Sequence, residues 1–196
     1  MMTIRQIDRL WSGKSYARLA SELLTARQEA SFGVEGLDRP CAVAALALVR
    51  MDELGQTHCP LYGVLVRAIL AGRDRDGGWG DPQTTALCVR ALLLGQGGGV
   101  AIDEGLAFLA SMQRDDGLWP NGPMRRMPGD EAVTLFVLYQ LGDNARFRQA
   151  VRFNEAVGWF SRNVAQLSDQ CRALAKWATL RCRTFGPPAP ATLFAA

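Results

Sequence analysis

The 196 residues are 48% hydrophobic and 21% charged. That is enough apolar chain to bury one sizeable core, and it excludes a disordered chain, a collagen-like repeat and a disulfide-dense miniprotein. The longest apolar stretches, such as residues 41–49, fall far short of the roughly 20 residues a membrane span needs. Net charge is only +3 and acids lie among the arginines in every segment, so no nucleic-acid-binding stripe is expected.

Taken in chain order, helices are predicted near residues 3–11, 15–28, 41–54, 61–72, 82–95, 102–113, 130–142, 145–162 and 167–183, about nine in all. Arg5, Asp8 and Arg9 interrupt the first of these, so it is not expected to be a cleavable leader. Residues 42–54 and 84–95 hold little polar matter and no proline, as buried helices do. Residues 61–71, interrupted by Arg67, read as a more amphipathic helix. The breakers fall between these runs: Pro40, Gly55, Pro60, Gly77, Gly78, Pro82, and the loop 120–129 with Pro120, Pro123 and Pro128. Gly97-Gly98-Gly99 lacks a following Lys or Ser/Thr and reads as a flexible connector, not a phosphate cradle. No stretch alternates with period two for long, so the expected class is all-α. The expected domain is residues 1–184, followed by a Pro-rich tail at 185–196.

Self-similarity is the strongest signal. Asp76-Gly77-Gly78-Trp79 and Asp116-Gly117-Leu118-Trp119 match at a shift of 40 residues, as do Val49-Arg50 with Val89-Arg90 and Leu54-Gly55 with Leu94-Gly95. Leu141-Gly142 answers Leu94-Gly95 at a shift of 47, because the intervening loop is longer. Each unit is a helix, a D-G-x-W turn, and a more apolar helix ending at Leu-Gly. A lone hairpin of this kind cannot cover its apolar face, so neighbours must stack. Within the turn, Gly77 and Gly117 supply the tight bend. Trp79, Trp119 and Gln113 read as structural staples, rings over helix ends whose polar groups satisfy the backbone there.

The run Phe108-Leu109-x-x-x-Gln113-x-x-Asp116-Gly117-x-Trp119 resembles the QW motif of squalene–hopene cyclases, oxidosqualene cyclases and protein prenyltransferases. The preceding unit is a weaker copy, with Arg73 in the place of the Gln. The resemblance covers residues 40–142 and fades at Phe32-Gly33 and Trp159-Phe160. It implies an α/α toroid of concentric inner and outer helices. A closed ring of six such hairpins needs roughly 240 residues or more. The implied architecture is therefore an open arc, a partial barrel of four hairpins and a fraction, unless two copies complete a ring.

In such an arc the turns 29–40, 73–81 and 114–129 lie at one rim and carry most of the charge. Asp81-Pro82-Gln83-Thr84-Thr85-Ala86 stands where the cyclases carry their acid motif, D-x-D-D-T-A. Clustered carboxylates there keep one group acidic enough to protonate an alkene or epoxide. Gln83 cannot donate that proton, and Asp81 before Pro82 is also a good helix N-cap. Asp130 and Glu131 open the next inner helix, where acids suit the helix dipole. If the protein is an enzyme, Asp81, Asp130 and Glu131 are the catalytic candidates. Arg125 and Arg126, with Arg73 on the same rim, are the candidate diphosphate clamp, since guanidinium pairs phosphate oxygens bidentately. The competing reading of these arginines is a solvated loop.

Neither metal nor cofactor is expected. A prenyltransferase-like zinc site would draw on Asp38, Cys41, His58 and Cys59, but the helix between Cys41 and His58 puts them ~20 Å apart at opposite rims. The five cysteines, Cys41, Cys59, Cys88, Cys171 and Cys182, form no C-x-x-C pair and suit a reducing compartment, which makes the cytoplasm the expected address. Trp11, Trp159 and Trp177 read as core or interface. The function the residues favour is an accessory or binding protein, its concave face taking an apolar isoprenoid-type ligand or a partner protein. The alternatives are a cyclase- or prenyltransferase-type enzyme using the rim carboxylates, and a structural subunit of a larger complex or homo-oligomer.

Overall fold

Three prolines set the first helices. Pro40, Pro60 and Pro82 each occupy the first helical position, where a missing N–H breaks no bond and the ring presets φ. They open α1 (Pro40–Glu53), α2 (Pro60–Ala71) and α3 (Pro82–Leu94). The computed structural model describes residues 39–55, 60–95 and 97–183. The helices expected near 3–11 and 15–28 and the tail 185–196 lie outside them.

The chain then runs through α4 (Gly99–Met112), α5 (Glu131–Leu141), α6 (Ala145–Ala150), α7 (Phe153–Asn163), a 3₁₀ turn at Val164–Gln166 and α8 (Asp169–Arg183). The class is all-α. Among the described residues the only strand pairing is a two-residue bridge, Trp119 to Asp130 and Pro120 to Gly129, which closes the loop between them. Two expectations need correction. The glycine run is not wholly a connector: Gly97 and Gly98 link α3 to α4, but Gly98 takes φ +76° as the N-cap of α4 and Gly99 opens it, three residues earlier than the apolar pattern suggests. The single helix expected over 145–162 is broken at Val151 and Arg152, where Val151 is extended and the Arg152 backbone bonds to the Gln113 side chain.

Packing sorts the helices into two rows. α3 lies between α1 and α5, and α5 also packs on α8. α1 and α3 begin side by side, since Arg39 bonds to Asp74 in the turn before α3 and lies against Gly80. α3, α5 and α8 end together at Asp143, which accepts from Arg90 at 3.1 Å and Arg181 at 3.2 Å. These four helices therefore run parallel, with α2 and α4 returning antiparallel between them. Small residues let the rows close up. A Cβ on Gly72 would stand 2.6 Å from Cys41 Cβ, and one on Gly105 2.6 Å from Val89 Cγ2.

Burial follows the position in the rows. All of α3 except Arg90, Leu93 and Leu94 is buried, and α5 is buried from Val133 through Leu138. In α2 only Ile69 is fully covered. No helix among the described residues is long and apolar enough to cross a membrane.

Asp143 holds three helix ends together with its side chain only 14% exposed. Asp143→Ala would leave two half-buried guanidinium groups facing each other and should cost about 2–3 kcal/mol. The measurement is a urea titration, in which the midpoint falls and the slope is unchanged. An unmoved midpoint would show that the triad adds nothing.

Candidate functional site

The two D-G-x-W turns are one structure built twice. Gly77 and Gly117 sit at φ +88° and +89°, a region only glycine enters without strain. Asp76 accepts from the Gly78 N–H at 3.0 Å, and Asp116 from the Leu118 N–H at 3.1 Å. Trp79 Nε1 donates to the Ile69 carbonyl at 2.7 Å, and Trp119 Nε1 to that of Leu109 at 2.8 Å. Each Trp N–H donates to a buried threonine hydroxyl of the following helix, Thr85 or Thr134, at 2.9 Å. One indole thus joins the end of α2 to the start of α3, and the other the end of α4 to the start of α5.

Each turn also grips a later helix, α4 in the first case and α7 in the second. A Cβ on Gly117 would stand 2.5 Å from the Ala156 nitrogen of α7, and one on Gly77 would meet Glu104 of α4 at 3.0 Å. Gln113 is 2% exposed and brackets the Arg152 backbone, accepting from its N–H at 2.7 Å and donating to its carbonyl at 3.1 Å. Arg73, in the equivalent place, pairs with Glu104 instead. In both turns a polar side chain reaches that later helix or its N-cap, by amide in one and by ion pair in the other.

The catalytic candidates stand at the same rim as helix caps. Asp81 accepts from the Thr84 N–H at 2.7 Å with one oxygen and from the Thr84 hydroxyl at 2.8 Å with the other. Asp130 accepts from the Val133 N–H at 2.9 Å. Glu131 lies partly exposed in the first turn of α5. Gln83 is 2% exposed, and its amide nitrogen has no hydrogen-bond partner among the described residues. Asp81 and Asp130 therefore open neighbouring parallel helices, each turned toward its own backbone.

The arginine clamp is drawn into the turn. Arg125 donates to the Gln113 carbonyl at 2.9 Å and to Asp115 at 2.7 Å, and Arg152 reaches the same carboxylate at 2.9 Å. The Arg152 hydrogen bond, then the Arg125 charge, hold the Asp115 carboxyl below its usual range. Arg126 contacts the Met124 sulfur at 3.6 Å, so the paired clamp does not assemble. Asp38, His58 and Cys59 lie outside the described residues, among which no three metal-ligating side chains come together.

One surface was not singled out from the sequence. On α8 a shallow depression of about 450 Å³ is lined by Asp169, Arg172, Ala173, Lys176, Trp177 and Leu180. Cys171, Leu174, Ala175 and Ala178 face the core, while Trp177 is 58% exposed. The lining residues recur at steps of three and four, so the pattern was present in the sequence. It was indistinguishable from a buried stripe until α5 was known to cover the other side.

The geometry separates capping from acid chemistry. Asp81→Ala should cost about 1 kcal/mol in thermal or urea unfolding, and Asp81→Asn, which keeps an acceptor, only a few tenths. Equal losses would refute the capping role. Gly117→Ala should destabilise by about 2–4 kcal/mol, through φ strain and overpacking together, and Gly77→Ala by less because its neighbour lies farther off. No protein-family model matches the chain, and no curated protein and no solved structure shows detectable similarity to it.

Proposed function

We propose that the protein is a non-catalytic binding module, built like part of a terpene-cyclase or prenyltransferase toroid, that docks a partner polypeptide with an acidic rim on α8. The observation that carries this reading is the Trp177 surface. An indole 58% exposed, beside the small Ala173 and flanked by Arg172 and Lys176, combines the side chains that dominate protein interfaces. Arg172 pairs with Asp169 in the same depression, which leaves Lys176 as the base that favours an acidic partner.

The rim supports the same reading from the other side. Asp81 and Asp130 serve as caps, and Arg125 and Arg73 are held in ion pairs, so the groups that cyclase or diphosphate chemistry would use already have structural work. The apolar residues of α3 and α5 lie in the protein's own core, which favours a polypeptide over an isoprenoid-type ligand held between those helices.

The test is native mass spectrometry of the protein isolated from its own cells, beside a Trp177→Ala variant of unchanged helical content. The wild type should carry a stoichiometric polypeptide that is lost in the variant and released by raised salt. A bare monomer, or a lipid mass retained by both proteins, would overturn the proposal.

A further inference from the structure

Two thiols from different helices meet in the core. Cys41 sits in the first turn of α1 and Cys88 in the middle of α3, and the Cys88 Sγ donates to the Cys41 carbonyl at 3.8 Å. Gly72 makes this possible, because a Cβ there would lie 3.1 Å from Cys41 Sγ and 2.6 Å from its Cβ.

Their surroundings are unequal. The neighbouring Cys88 thiol, helped by the Ala42 N–H and the Arg39 guanidinium, holds Cys41 down to about 7 against the opposing effect of burial. Burial pushes Cys88 well up. Cys41 is itself 4% exposed, but it sits at the helix end next to exposed Arg39 and Pro40, whereas Cys88 is fully covered in mid-helix. The described thiols of α8 differ again: burial pushes Cys182 up to about 11, and Cys171 faces the core.

We propose that Cys41 and Cys88 form a thiol–disulfide exchange pair, which takes a small organic disulfide as its oxidant and closes into a covalent link between α1 and α3. The Cys41 thiolate attacks one sulfur of the small disulfide, forming a mixed disulfide at Cys41 and releasing one small thiolate. Cys88, losing its proton, then attacks the Cys41 sulfur and expels the second small thiolate. The two protons of the protein thiols end on the two released small thiols. The protein pair is oxidised by two electrons and the small disulfide is reduced by two.

The test treats the folded full-length chain with glutathione disulfide, quenches in acid, blocks remaining thiols and maps the peptides by mass spectrometry. The expected product links Cys41 to Cys88, with two glutathiones released per chain and a raised urea midpoint. Cys88→Ser should stop at a mixed disulfide on Cys41, and Cys41→Ser should leave Cys88 unmodified. Modification falling first on Cys182 or Cys59, or no link between Cys41 and Cys88 in the wild type, would overturn the proposal without reference to any variant.

Discussion

The hydrogen bond from each corner indole to the last turn of the preceding helix is the interaction on which the rest of the structure depends. A buried polar N–H left unpaired costs about 1–3 kcal/mol. Trp79 and Trp119 are fully buried, and their Nε1–H groups donate to the Ile69 and Leu109 carbonyls, which also accept from the Gly72 and Gln113 N–H groups. The backbone N–H of the same residue is taken by a threonine of the next helix, so one residue ties the preceding helix, the corner and the next helix together. Glycine then lets the helix after that close onto the corner, and the operation repeats.

That arrangement determines what the polar residues of the rim are able to do. A carboxylate that caps a helix must point at its own first turn, and so Asp81 and Asp130 turn away from a shared space between α3 and α5. Gln113, Arg125 and Arg152 are held around the same corner, where a backbone carbonyl and Asp115 occupy the guanidinium groups. What the scaffold leaves outward lies elsewhere, on α8. Its inward stripe is used against α5, and its outward stripe carries an indole, a small residue, Lys176 and the Arg172–Asp169 pair. On the proposed reading, that outward stripe with its aromatic anchor is the docking surface.

Redox chemistry follows from the same close packing. Alanine, glycine and cysteine let α1, α2 and α3 approach to backbone distance, and two of those small side chains carry sulfur. In the sequence they stand 47 residues apart and each reads as a filler; in the fold they touch.

The amino-acid sequence by itself determined the described helices, most of their breaks and the repeated corner. Proline at a helix start, glycine at positive φ, an Asp cap and the spacing of apolar residues act over four or five positions, so they are legible wherever the chain is read. The break at Arg152 was not, because the group that holds it is Gln113, on a different element. Nor were the meeting of Arg90 and Arg181 on Asp143, the pairing of Cys41 with Cys88, or which stripe of α8 faces outward. Those depend on which helix lies beside which. Only the tertiary structure decided that, since side chains dozens of residues apart acquire their partners when the rows pack.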